Sequence, residues 1–230
     1  MKLITKTLAA VGLATAAMAS MPASAQVQGN IATVNTPGVI INTTAFQNAY
    51  QQIGTTYKTQ LDTMVQRNQE RQTLLQQLDT NGDNQLDEAE QQAAQNSQQA
   101  TRIGAIDQEL QQLSNQVDGA RIYAIEQILR QYSPALQEVV TQRQIQMVVS
   151  PDAVIYAPQQ ANITQQVATA LNAKVASVQV VPPQDWQPTR NAVGMFQQIQ
   201  QALMTAQAIQ QAQAAQQGAQ QPNNQAPTGR

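Results

Sequence analysis

Six residues stand at the spacing of a cation-binding loop. They are Asp79, Asn81, Asp83, Gln85, Asp87 and Glu90, within the run DTNGDNQLDEAE at 79–90. A hard divalent cation takes several oxygens arriving from different directions. An EF-hand loop supplies them from positions 1, 3, 5, 7, 9 and 12. Gln85 falls at the position where only a backbone carbonyl is used, and Leu86 falls where such loops carry an apolar anchor. The expected ion is calcium, held weakly at about 10⁻⁴ to 10⁻³ M because no second loop pairs with this one. Asn84 occupies the position where glycine is usual, because the backbone there turns through positive φ. Asparagine tolerates that conformation better than most side chains. The other reading is a polar tip between two helices, with Asp87 and Glu88 opening the second helix at its favourable dipole end.

Little else in the chain can do chemistry. There is no histidine and no cysteine. That removes the usual general base, the usual zinc ligand, thiolate chemistry and disulfides. The loop carboxylates fit a filled cage with no nucleophile beside it, so the chain does not read as an enzyme. Charged residues make up 11% and the net charge is -2, without clustered Lys or Arg. A nucleic-acid partner is therefore not expected.

Residues 1–25 read as an export signal. Lys2 and Lys6 precede a short apolar stretch from Leu8 to Met18, and Ala23-Ser24-Ala25 gives a small-residue cleavage site. The expected mature chain starts at Gln26, works in the periplasm, has no transmembrane segment and carries a net charge near -4 once both lysines are lost. Aromatic residues are only 3%, which suits an elongated helical protein with a small globular part.

Two helical stretches must position the acidic loop. Tyr50, Ile53, Tyr57, Leu61 and Met64 step by threes and fours along 46–78, with Asn68 and Arg71 as polar interruptions further on. Gly54 is the weak point of that helix. At about 1.5 Å per residue it is on the order of 50 Å long. The stripe returns after the loop at Ile103, Ile106, Leu110, Leu113 and Val117, and broadens at Ile125, Ile128 and Leu129. Pro134 is expected to interrupt or kink this second helix. Two single-stripe helices joined by a short loop fold back as an antiparallel hairpin, here 46–144.

Short β signals flank the hairpin. Ile31–Asn35 alternates apolar and polar residues, and Thr36-Pro37-Gly38 reads as a break. Ile145–Val149 and Ala153–Ala157 read as two more strands, followed by a helix at 163–171 opened by Asn162. The expected fold is α+β and mostly α: a β body built from 26–45 and 145–177, carrying the hairpin. The remaining segment, 178–230, is rich in Gln, Ala and Pro. It offers an extra strand at Val178–Val181, a weakly amphipathic stretch from Met195 to Ile209, and expected disorder from Gln210 onward.

Three segments resemble the Skp/OmpH family of periplasmic chaperones. Ile31–Ile40 (IATVNTPGVI) looks like that family's opening strand. Ile145–Ala157 (IQMVVSPDAVIYA) looks like its closing strand pair, and Asn162-Ile163-Thr164 with Val167 looks like its closing helix. The resemblance covers about 31–174. It implies a homotrimer whose β body gathers three helical tentacles around a cavity, holding unfolded outer-membrane proteins without ATP. Broad reversible contact by thin arms with scattered Met, Leu and Ala suits that task. Family arms are basic, whereas Lys58, Arg67, Arg71, Arg102 and Arg121 are few here. The acidic loop and the segment after Lys174 also lie outside the family pattern. An alternative function is a calcium-binding coiled-coil structural or adaptor protein of the cell envelope.

Overall fold

The computed structural model describes residues 30–219. The expected export signal, the first mature residues and the end of the tail lie outside that range. Strand β1 (Asn30–Thr33) opens the chain. Helices α1 (Thr36–Ile41), α2 (Thr44–Thr56), α3 (Lys58–Leu78), α4 (Glu88–Ala94) and α5 (Gln98–Gln142) follow. Strand β2 (Ile145–Val149) and helices α6 (Thr164–Lys174) and α7 (Arg190–Ala219) complete it.

The two remote β pieces meet. β1 and β2 pair in parallel, with Ile31 against Met147, Ala32 against Val148 and Thr33 against Val149. The far side of β1 is held by the Asn162 region, where the Ile163 N–H donates to the Thr33 carbonyl at 2.9 Å. Asn162 Oδ1 accepts from the Thr164 N–H at 3.0 Å, and Thr164 Oγ1 accepts from the Asn35 N–H at 3.0 Å. The Asn-Ile-Thr run thus starts α6 and ties it to the end of β1.

Around this sheet sits a helical core. Val39 and Ile40 of α1, Ile125 and Ile128 of α5, and Val167 and Leu171 of α6 are fully buried together. The sharp broadening of the α5 stripe near Ile125 reflects this, because several elements converge on that end of the helix.

The arm leaves the body through α3 and the first half of α5. Arg67 pairs with Glu109, and Glu70 with Arg102. As the residue number rises along α3 the partner's number falls along α5, so the two helices run antiparallel.

Six local expectations are corrected, the first being the extra strand at Val178–Val181, which pairs with no strand. Thr36-Pro37-Gly38 starts a helix rather than a break, because Asn35 Oδ1 accepts from the Gly38 N–H at 2.9 Å and Pro37 sits in the first turn, where its missing donor costs nothing. The first long helix is divided at Tyr57, not at Gly54. α5 continues through Pro134, which lies on an exposed face. No third strand forms: Pro151–Ala153 is a single 3₁₀ turn, and Val154–Ala157 bends at Ile155 and has no ladder partner. Finally, α7 runs on to Ala219, so 210–219 is helical where loose chain was expected. Alanine and glutamine are strong helix formers, and an anchored helix extends through them readily.

Candidate functional site

The acidic loop folds around its own backbone N–H groups. Asp79 Oδ1 accepts from the Gly82 N–H at 2.7 Å, and its Oδ2 from the Asn84 N–H at 2.8 Å. Asn81 Oδ1 accepts from Asp83 N–H at 2.9 Å, and Asp83 Oδ1 from Gln85 N–H at 2.8 Å. Gly82 and Asn84 both turn through the left-handed region, at φ 77° and 62°. Asn84 therefore does what glycine normally does at that position.

Glu90 closes the loop. Its Oε1 accepts from the Thr80 N–H (2.6 Å), the Thr80 hydroxyl (2.8 Å) and the Asn81 N–H (3.1 Å). Its Oε2 accepts from the Asp87 N–H at 3.1 Å, and Asp87 Oδ1 accepts from the Glu90 N–H at 2.9 Å, a reciprocal capping box that starts α4. The Thr80 hydroxyl, followed by the backbone donors, holds the Glu90 carboxyl below its ordinary range although burial opposes this. Asp79 is half-buried, while Asn81, Asp83, Gln85 and Asp87 are exposed. Among the described residues, no group of three or more acidic side chains is arranged to hold a metal ion. The physical reason is that Glu90 spends both its oxygens on the loop's own donors.

Between the loop and the body, the arm is zipped by charge. Arg67 bonds Glu109 at 2.6 Å and Glu70 at 2.8 Å, Arg102 bonds Glu70 at 2.6 Å, and Arg71 bonds Asp107 at 2.8 Å. α3 contributes no buried residue, whereas Ile106 of α5 is fully buried. The residues read as interruptions of an apolar stripe include one end of this ladder, Arg71.

At the arm base the stripe is apolar again. Ala49 and Ile53 of α2 pack on Val117, Ala120 and Ala124 of α5. Burial pushes the Tyr50 hydroxyl up to about 12, against the pull of the Arg121 guanidinium, which lies 5.8 Å over its ring.

The body surface carries apolar groups without cover. Ile155 and Tyr156 are 108% and 83% exposed, and Met147 of β2 is half exposed. An open groove of about 870 Å³ lies between Val148, Val149 and Pro37 at the sheet end and Ala202, Ala206 and Ile209 of α7. Among the described residues, no helix is long and apolar enough to cross a membrane.

Comparison with known proteins follows the same division of the chain. A model of the outer membrane protein (OmpH-like) family matches residues 30–171. The match takes in β1, the whole arm, β2 and most of α6, and it stops before α7. No curated protein matches the chain. Among solved structures, an OmpH-like outer membrane chaperone from Caulobacter crescentus CB15 aligns at 15% identity with a TM-score of 0.44, covering 70% of this chain and 95% of that one.

Proposed function

This chain belongs to the OmpH-like outer membrane protein family, and from that premise we propose that it is an ATP-independent periplasmic holdase for unfolded outer-membrane proteins. The family match over both strands and the arm carries this reading. Physical features of the chain support it. A holdase needs broad, weak, reversible contact rather than one deep pocket, because it acts by mass action on the unfolded state. The arm's solvent faces are largely Gln, Asn and Thr with scattered apolar residues such as Val65.

The arm's cations are already engaged. Lys58, Arg67, Arg71, Arg102 and Arg121 each pair with a carboxylate of the same chain. Client capture here therefore relies on apolar and hydrogen-bonding contact, not on attraction to acidic clients.

The proposal includes a homotrimer. A two-stranded sheet is marginal alone, and the uncovered Ile155, Tyr156 and Met147 beside it are the surface that assembly would bury. It also includes a calcium ion at 79–90, for which the ligand spacing and the left-handed Asn84 speak. Binding requires Glu90 to trade its hydrogen bonds for the cation.

Light scattering of an unfolded porin tests the central claim. At a stoichiometric ratio of trimer to client the protein should delay aggregation. An unchanged aggregation rate at tenfold excess would rule the holdase out and favour an envelope spacer. Calorimetric titration with calcium should give heats that vanish in Asp79→Ala and Glu90→Ala. Equal heats in wild type and both variants would dispose of the ion site alone.

A further inference from the structure

The segment Val175–Trp186 follows α6, lies beyond the family match and crosses the base of the arm. Val180 is 2% exposed and packs into the cluster of Ala49, Ile53, Val117, Ala120 and Ala124. Val178 is half-buried against the same cluster, whereas Gln179 and Val181 face solvent. Burial thus alternates along Val178–Val181 as it does along a β-strand, although the chain bends at Val180 and Val181. Yet the segment pairs with no strand; it lies on two helices.

A side chain takes the place of the missing strand. Gln127 Nε2 donates to the Gln179 carbonyl at 2.8 Å, and Gln127 Oε1 accepts from the Gln179 N–H at 3.0 Å. One carboxamide therefore satisfies both backbone groups of one residue, as a neighbouring strand would. Its orientation is set in advance, because Nε2 also donates to the Tyr123 carbonyl one turn back at 3.0 Å. The Tyr57 hydroxyl donates to the Val180 carbonyl at 3.4 Å. Three alanines, at 49, 120 and 124, leave room for a main chain to approach. This surface thus engages both backbone groups of Gln179, the Val180 carbonyl and two alternate apolar side chains.

The far end of the segment is fastened separately. Trp186 Nε1 donates to Glu126 Oε2 at 3.1 Å, and the ring meets Tyr123 edge-on at 5.2 Å. The strap can thus be loosened there without touching the apolar cluster.

We propose that this face of α2 and α5 is a binding site for an extended client segment with apolar residues at alternate positions, and that Val178–Val181 occupies it in cis as a stand-in. Alternation of this kind is the pattern of a membrane-spanning β-strand. The identity of the client rests on the holdase reading; the site rests on the geometry alone. A short tether supplies the strap at an effective concentration on the order of millimolar. A segment arriving in trans must compete with that, so the intact protein binds weakly until the strap is displaced.

The experiment uses the full mature chain and a fluorescein-labelled peptide of sequence VASVQVVPP, which is that of residues 175–183, read by fluorescence anisotropy. Val180→Asp in the protein ejects the strap and should tighten peptide binding at least tenfold. Trp186→Ala, which acts outside the cluster, should move affinity the same way. Adding Gln127→Ala to either variant should abolish the gain, and a peptide with aspartate at both inward valines should not bind. If Val180→Asp loses its helical circular dichroism, Trp186→Ala decides. The proposal is overturned if folded strap variants bind no tighter than wild type, or if Gln127→Ala leaves the affinity unchanged. Porin aggregation is followed in parallel. Peptide binding as expected without any delay of aggregation refutes the holdase and keeps the site; the reverse refutes the site and keeps the holdase.

Discussion

Single carboxylates decide the conformation of the arm tip. Glu90 accepts four hydrogen bonds from three residues, and these hold Thr80, Asn81 and Asp87 in one turn. Glu90→Gln keeps the size but weakens acceptance, because charge-assisted bonds are roughly twice as strong as neutral ones. The expected outcome is amide exchange at Thr80, Asn81 and Asp87 at least tenfold faster, with that of Ile125 and Ile128 unchanged. The sign of the pH effect follows from the depressed carboxyl. A group whose folded value lies below its unfolded one stabilises above the unfolded value and loses that contribution as pH falls through the folded one. Protection of these amides should therefore be flat at neutral pH and fall only below the ordinary glutamate value of 4.5. Exchange that accelerates already between pH 7 and 6 would contradict this assignment. The spacing of Asp79 to Glu90 made the loop legible in the sequence. The role of Glu90 was not, because spacing records which residues are ligand types and not which donors compete for them.

Helices α3 and α5 divide into an apolar base and an ionic shaft. The base, which α2 shares, was legible, since Ile53 of α2, Leu61 of α3 and Val117 of α5 keep a helical period. The shaft was only half legible: periodicity marks Arg71 as a break in the stripe, and only the antiparallel register reveals Asp107 as its partner at 2.8 Å. The same limit explains the missed strap. Val178–Val181 has a strand's pattern, but pattern cannot tell a sheet from a pair of helices bearing Gln127. Exposed and half-exposed pairs are screened by salt, whose Debye length falls from about 30 Å at 0.01 M to about 3 Å at 1 M. Amide exchange along 63–78 and 99–110 should thus quicken together across that range, while the body does not respond. Ile106→Ala removes the buried apolar side chain of α5 that lies next to Asp107 in the sequence. A fully buried isoleucine cut to alanine costs about 2–5 kcal/mol. This variant should open the shaft more at low salt than loss of any single ion pair, as judged by the same exchange profile. An arm equally protected at 0.01 M and 1 M salt would mean that the ladder does not hold it.

At the scale of the whole molecule, the question is what completes a body that has two strands among the described residues. The sheet joins ends of chain more than a hundred residues apart (Asn30 and Ile145 are partners), and it does so in parallel, which is why no hairpin signal announced it. Each element around it is satisfied internally on one side only. α1, α5, α6 and α7 bury Ile40, Ile128, Leu171 and Ile199 beneath the sheet. Outside, Ile155 and Tyr156 stand in an irregular segment that the sequence reads as a strand and a single chain leaves unpaired. That mismatch has a physical source: strand propensity is realised only where a partner edge exists. If copies of the chain supply the edge, the exposed pair becomes interface core, and burying two such side chains contributes about 1.5–3 kcal/mol each. Ile155→Asp with Tyr156→Asp should then leave the helical circular dichroism intact and convert a three-chain particle into single chains by size-exclusion chromatography with light scattering. Because the arms would no longer surround a common space, the same variant should lose most of its delay of porin aggregation while its arm-tip exchange stays as in wild type. A wild-type particle containing one chain, or a variant that still assembles in threes, would remove the exposed pair from the interface and leave the uncovered sheet to be explained by another partner.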